Sequence, residues 1–389
     1  MSINVLSFTT LYPNDRQPRH GIFVEQRLRQ LIKATDIQLK VVAPVPWFPL
    51  KSKCFGQYSI YSKVEKNEDR FGIDVYHPNY LVIPKVGMSI TPLLLAVAGL
   101  KKIKELIKNG FKPDIIDAHY VYPDGVAAAL IGKWLNIPVV ITARGSDINI
   151  LPKYALPKKM ILWATKEAAM NITVSRALKT EMQKLGVPVS DIEVLRNGVD
   201  LEIFNILPDV RKGKCVKVNK LISVGNLIEL KGHHLIIEAL INLVDSELTI
   251  VGEGPNEIQL KQLAVNFGVD NRVNFVGYKT HKELVRLYNE VDALILASSR
   301  EGMPNVLLEA MACGTPVITT MVGGAVEVVT EVSSGILLKE RSVGCIEDAV
   351  NDLMSCLPLE SKTREYAEQF SWDTTISKLK NRIESSIQK

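Results

Sequence analysis

One run of residues limits this chain more than any other. Asp292 to Ala297 (DALILA) is apolar after its first residue, the pattern of a strand buried on both faces of a parallel sheet. Ser299 to Ala310 (SREGMPNVLLEA) follows, and its second half has helical character. Pro304 suits a first helical turn, where a missing N–H costs nothing. Cys313, Gly314, Thr315 and Pro316 make a glycine–proline exit. The spacing therefore predicts a strand, a short turn carrying Glu301, and a helix opening behind it. Amides of Asn305, Val306 and Leu307 at that helix start, with the dipole behind them, would form an anion cradle. Glu309, four residues after Asn305, shares its side of the helix. Two carboxylates 8 residues apart then flank the cradle, and a carboxylate accepting two hydroxyl protons holds a vicinal diol.

The same grammar recurs along the chain. Strands are expected at Ile3–Thr9, Ile37–Ala43, Ile115–His119, Val139–Thr142, Asn171–Val174 and Ile192–Leu195, with helices at Ile22–Ala34 and Gly125–Leu135 between them. It restarts at Leu221 (LISVGNLIELKGHH) and continues through Leu248 (LTIVGEGPNE) and Val273–Val276. Alternating strands and helices mean α/β folding, with parallel sheets covered on both faces. At 389 residues there is chain for two such domains. Pro208 to Lys220, with four lysines, Pro208 and Gly213, reads as the linker. The expected division is 1–207, 208–370, and a terminal segment 371–389 crossing back to the first domain.

Several function classes fall away. Gly252 and Gly254 begin a dinucleotide-type glycine loop, but Glu257 stands where its third glycine belongs, so a nicotinamide dinucleotide is disfavoured. No Asp-x-Asp occurs, so a metal-bridged diphosphate of that kind is not expected. The longest apolar run, Ile90 to Leu100, is shorter than the roughly 20 residues a membrane helix needs. No secretory leader is visible, and five cysteines without paired spacing fit a reducing cytoplasm. The charge is uneven. Residues 1–205 hold 27 Lys+Arg and 18 Asp+Glu, although the whole chain carries only +5. That bias points the first half at an anionic partner. Trp47 and Phe48 lie among prolines and lysines, and Ile90 to Asn109 turns from apolar to basic at Lys101, Lys102, Lys104 and Lys108. This reads as an amphipathic helix for an anionic membrane face, against a core helix with a solvated basic end. Nucleic acid is not expected.

The string EGMPNVLLEAMACGTPVI (301–318) resembles the signature of family 4 glycosyltransferases, retaining nucleotide-sugar enzymes of GT-B fold, and is most similar to bacterial members that build cell-surface polysaccharide. The resemblance implies two Rossmann-like domains facing a cleft. It places the donor sugar on Glu301 and the donor ribose on Glu309. Lys231 is implied at the donor diphosphate, where it assists the leaving group, and His119 is implied near the donor sugar. His119, Glu301 and Lys231 are thus the expected catalytic residues. Further donor contacts carry over to Gly21, Asn226, Gly252 and Gly254, and to Gly302, Met303, Pro304, Asn305, Val306 and Leu307. The acceptor loop of the family lies near Gly21. Arg144, where many relatives have His, is a fixed cation for an acceptor phosphate or carboxylate. Asp147 is an acceptor contact or a helix cap. Asn226 stands where an Arg is usual and can still donate a hydrogen bond. The expected partners are a nucleoside-diphosphate sugar and a glycan or polyprenyl-diphosphate-linked acceptor, with no metal and no cofactor. A non-hydrolysing nucleotide-sugar epimerase and a non-catalytic sugar-nucleotide scaffold are the competing readings.

Overall fold

A computed structural model describes residues 3–47, 60–82, 87–210 and 218–387. Phe48, Cys54, Cys215 and most of the expected linker lie outside the described residues. The chain forms two compact units, residues 1–197 with 373–389, and residues 198–372.

The first unit holds an eight-stranded sheet. Its strands are β1 (Asn4–Phe8), β2 (Gln38–Val42), β4 (Asn67–Arg70), β5 (Ile73–Tyr76), β7 (Ile115–His119), β8 (Val139–Ala143), β9 (Met170–Thr173) and β10 (Ile192–Val194). Their order is β10-β9-β8-β7-β1-β2-β5-β4. All neighbours run parallel except β4, which is antiparallel to β5 at the edge. β3 (Val45–Trp47) and β6 (Asn79–Leu81) form a separate parallel pair, with Trp47 opposite Leu81. The helices are α1 (Ile22–Ala34), α2 (Thr91–Lys108), α3 (Val126–Leu135), the short α4 (Ser146–Asn149), α5 (Ala155–Glu167) and α6 (Arg176–Leu185). Every residue of β7 and β8 is buried, as strands covered on both faces are, and β7 carries Asp117 and His119 into that interior.

The second unit holds a six-stranded, wholly parallel sheet of β11 (Asn219–Val224), β12 (Ser246–Val251), β13 (Val273–Phe275), β14 (Ala293–Leu296), β15 (Val317–Thr320) and β16 (Gly335–Leu338). The order is β13-β12-β11-β14-β15-β16. Its helices are α7 (His233–Ala239), α8 (Glu257–Asn266), α9 (His281–Glu290), α10 (Asn305–Ala312), α11 (Ala325–Val328), α12 (Val343–Ser355) and α13 (Glu360–Glu368). Leu221, Leu248, Ile250, Ile295 and Ile318 from the strands pack with Ile236, Ile237, Leu240, Ile346 and Val350 from the helices.

Residues 198–207 belong to the second unit for a physical reason. Phe204 is buried against His281 and Tyr288, with ring centroids at 5.5 and 6.3 Å. Arg364 donates to the carbonyls of Phe204 (2.6 Å) and Ala312 (2.8 Å). Linker composition placed the division ten residues later, because it cannot register an aromatic anchor ahead of the linker. The final helix, α14 (Trp372–Ile387), begins at the division, and its later turns lie within the first unit. There Lys380 meets Asp36 at 3.0 Å, and Thr375 donates to the Arg196 carbonyl.

Candidate active site

Both sheets change direction once. In the second unit, β11 lies between β12 and β14, so successive strands build outward on one side and then on the other. Such a reversal opens a crevice at the C-terminal ends of the two strands, where α/β proteins bind ligands. Lys231 follows β11, and Glu301 follows β14. The structure brings them together: Lys231 Nζ donates to Glu301 Oε1 at 2.6 Å. Ser298 Oγ donates to the same oxygen at 2.6 Å. The Lys231 and Glu301 side chains retain 20% and 11% exposure, so the pair is sheltered but reachable.

The backbone makes this meeting possible. Gly232 has φ +74°, and a Cβ there would stand 2.1 Å from the Ala297 carbonyl oxygen, so only glycine lets the β11 and β14 loops touch. Gly252 plays the same part between the β12 and β11 loops, where a Cβ would meet the Gly225 oxygen at 1.9 Å. Gly254 packs against Leu227 beside it, and Asn226 is exposed at the turn between them. Arg341 ties the assembly from behind, donating to Ala297 O (2.8 Å) and Glu229 O (3.2 Å). Neither Ser298 nor Arg341 was singled out from sequence. Ser298 stands three residues before Glu301, which is a readable signal, whereas Arg341 comes from a distant segment and gives none.

The helix start differs from expectation in detail. Pro304 is extended (φ −80°, ψ 98°) and caps α10, which begins at Asn305. The Leu307 amide donates to Pro304 O at 3.2 Å, so it is used inside the first turn and does not stay open to an anion. The Leu307, Met303 and Pro304 side chains are buried, while Asn305 and Val306 are half-buried. Gly302 accepts from the Gly324 amide at 3.0 Å, which fixes the turn. Glu309 is 8% exposed and accepts from Tyr288 Oη at 3.2 Å. Burial pushes its carboxyl up to about 7, although the Tyr288 bond opposes this.

In the first unit the reversal falls between β1 and β7. His119 ends β7, and Arg144 follows β8. Arg144 Nη2 donates to His119 Nδ1 at 2.8 Å, and Nη1 donates to Asn197 Oδ1 at 3.1 Å. Because guanidinium only donates, Nδ1 is the acceptor and His119 carries its proton on Nε2. That nitrogen lies 3.3 Å from Asp117 Oδ2, off a hydrogen-bonding line. Burial lowers the His119 pKa, so the ring is neutral at pH 7. Burial opposes ionisation of Asp117, but His119, Arg27 and Arg144 outweigh it and keep the carboxyl below its ordinary range. Arg27 on α1 is fully enclosed and donates to Thr142 Oγ1 at 3.1 Å.

This cluster is incompletely satisfied among the described residues. Arg27 Nε and Nη2, both Asp117 oxygens, His119 Nε2 and Arg144 Nε are buried without a hydrogen-bond partner. Orphan buried polar atoms in such number are completed by ordered water or a ligand group. The catalytic role expected of His119 meets a geometric obstacle. Its ring is 0% exposed and flanked by protein groups, so as placed it orients Arg144. Asp117 and Arg27 were overlooked, although Asp117 and His119, two apart on one strand, must share a face.

The remaining first-unit positions have structural duties. Asp147 accepts from the amides of Val121 (2.8 Å), Gly145 (2.7 Å) and Arg144 (3.1 Å), so its carboxylate braces the turn after β8. It lies inside α4 and does not cap it. Gly21 opens α1 at φ +70°, and a Cβ would come within 2.1 Å of Leu11 O, so the fold itself demands glycine there. Asp124 is bound by Thr9 and by the Thr10 amide and hydroxyl, and burial raises its carboxyl to about 7.

Residues 57–203 match the family described as Glycosyltransferase Family 4, and residues 209–370 match Glycosyl transferases group 1. TuaC, a protein assigned to teichuronic acid biosynthesis in Bacillus subtilis (strain 168), is 30% identical over 361 residues, spanning 90% of this chain and 88% of its own. The chain belongs to glycosyltransferase family 4. It is a nucleotide-sugar-dependent glycosyltransferase, in a family of retaining enzymes. Solved structures give the fold. Sucrose-phosphate synthase from Thermosynechococcus elongatus superposes with TM-score 0.77 at 16% identity, covering 98% of each chain. Anabaena Alr3699/HepE in complex with UDP superposes with TM-score 0.73 at 20% identity, covering 99% of this chain and 100% of that one. The two Rossmann-like units are those of a GT-B enzyme.

Proposed function

We propose that this glycosyltransferase moves a sugar from a uridine diphosphate sugar to a glycan or polyprenyl-diphosphate-linked acceptor in cell-surface polysaccharide synthesis, without a metal. The observation that carries the reading is the Lys231–Glu301 pair at the strand reversal of the second unit. In transfer, the bond between the anomeric carbon and the diphosphate oxygen breaks, the acceptor hydroxyl oxygen takes its place, and the hydroxyl proton passes to the departing diphosphate. Negative charge grows on the diphosphate. Lys231 supplies a cation there, where a sheltered charge is worth more than one in water. Glu301, already oriented by Ser298, accepts the hydroxyl protons of the sugar. Glu309 accepts those of the ribose. Uridine is favoured by the likeness to HepE, and the acceptor class by the likeness to TuaC.

A membrane contact accompanies this reading. No helix among the described residues is long and apolar enough to cross a membrane. On α2, however, Leu93 and Val97 are 49% and 56% exposed, and Lys101, Lys104 and Lys108 are exposed further along. Their spacing of four, four, three and four puts all five on one stripe. Trp47 and Leu81, register partners in the β3–β6 pair, are exposed as well. An apolar stripe running into a basic one suits an anionic inner membrane face. Lys102 does not join it, because its ammonium pairs with Glu105 at 2.9 Å and lies over the Tyr76 ring.

A panel of UDP-, GDP- and ADP-sugars read by thermal shift tests the donor assignment, since a ligand of the native state raises apparent stability. Stabilisation by the UDP series alone, with nucleoside diphosphate released when acceptor is added, is expected. Stabilisation without release would favour a scaffold, and stabilisation by another base would overturn the uridine assignment.

A further inference from the structure

A pocket of about 340 Å³ lies in the first unit, formed by residues with no part in the donor site. Its walls are Lys66 and Asn67 at the start of β4, His77 and Pro78 between β5 and β6, Asn79 at the start of β6, and Ala98, Lys101, Lys102 and Glu105 on α2. The floor is rigid. His77 is buried, with Nδ1 2.9 Å from Ala43 O and Nε2 2.8 Å from Glu68 Oε1. The His77 amide donates to Lys66 O, which holds the β4 entrance to this floor. Three ammonium groups and one carboxylate line the opening. The carboxylate, Glu105, is already engaged with Lys102. Lys66 and Lys101 are exposed above them, and the Asn67 and Asn79 amides offer neutral donors. The volume and the cation excess suit a phosphate with a small polar head.

The rim of the pocket is apolar. Val97, one turn before Lys101 on the same stripe, is exposed. Leu81, two residues beyond Asn79 on the same strand, is exposed too. Apolar surface therefore begins where the cationic pocket ends. We infer that this pocket binds the phosphate head of an amphiphile, a lipid phosphate monoester, whose chains lie against Val97 and Leu81. The site rests on the membrane reading above, and converts it from a diffuse charge attraction into recognition of one headgroup.

The test is calorimetric titration of the full chain with monomeric dihexanoyl phosphatidic acid. Two charge-matched variants serve, Lys66→Gln with Lys101→Gln in the pocket, and Lys104→Gln with Lys108→Gln outside it. All four side chains are exposed, so folding is preserved. The pocket pair should weaken binding by roughly tenfold or more, because it loses charge-assisted bonds. The outer pair should change it by less than about threefold. Glycerol 3-phosphate should bind more weakly and lose its binding in the same pocket variant, which separates the phosphate from the chains. Equal losses in both pairs, or no binding of the short-chain probe, overturn the inference. Flotation with phosphatidylcholine vesicles containing phosphatidic acid separates it from the membrane reading. A wild type that binds the probe but never the vesicles keeps the pocket and removes the membrane, whereas flotation undiminished in the pocket variant removes the pocket.

Discussion

The two strand reversals hold similar side chains in opposite ways. In the second unit, Lys231, Glu301 and Ser298 satisfy one another at a sheltered surface. In the first unit, Arg27, Asp117 and His119 are enclosed, Arg144 beside them is half-buried, and several of their polar atoms lack partners among the described residues. A satisfied pair near solvent can exchange partners cheaply when a diphosphate sugar arrives. An enclosed, under-satisfied cluster cannot rearrange so easily, because each charge depends on the others. The contrast fits the proposed binding and leaving-group work of the second unit, and a more rigid cluster around Arg144 in the first.

The largest effect should come from breaking the enclosed cluster. Asp117→Asn leaves Arg27 buried without its counter-charge, and denaturant unfolding should show a loss of about 3–5 kcal/mol. A loss under about 1 kcal/mol would mean that solvent reaches the cluster and the contrast fails.

Lys231→Ala is its counterpart. Turnover at saturating donor should fall by roughly 10²–10³-fold, since a charge aimed at the leaving group is gone. Stability should move by less than about 1 kcal/mol, because the pair keeps access to solvent. Substantial unfolding with intact turnover would reverse the roles given to the two regions.

Glu309 allows a finer cut. Its folded pKa, about 7, is raised above the ordinary 4.5. For a carboxyl raised on folding, the stabilisation is fully present below the unfolded value and is lost as pH rises through the folded one. That amounts to about 3 kcal/mol between pH 4.5 and 7, using the linkage of one pKa unit to about 1.4 kcal/mol. Glu309→Gln, always neutral, should abolish this slope in thermal scans. Ribose hydroxyls favour the ionised form, so donor affinity of the wild type should rise through pH 7. In the variant it should be flat and weaker by about 1.5–3 kcal/mol. An unchanged pH profile would remove Glu309 from the ribose.

Much of this was legible beforehand, and the illegible parts share a cause. Strand Ile115–His119 and helix Ile22–Ala34 are found at the residues expected, because short buried-strand patterns and 3.6-residue spacing are local signals. The turn at Glu301 and the cation at Lys231 were visible as strings, but their 2.6 Å contact was not, since it joins loops 70 residues apart. β4 and β6 escaped because they are short, polar and at sheet edges, and β5 because only four alternating residues carry its signal. The enclosure of His119 escaped because it depends on Arg27 and Arg144, which arrive from separate elements.

In the proposed mechanism the second unit holds the donor diphosphate with its own cation. Calorimetric titration of UDP into wild type and Lys231→Ala, in EDTA and again with Mn²⁺, tests it most directly. The account predicts that wild type binds equally well in both solutions, and that Lys231→Ala binds at least roughly tenfold more weakly in each, the loss of one charge-assisted contact. Binding by wild type that vanishes in EDTA and returns with Mn²⁺, or an unchanged affinity in Lys231→Ala, would contradict it.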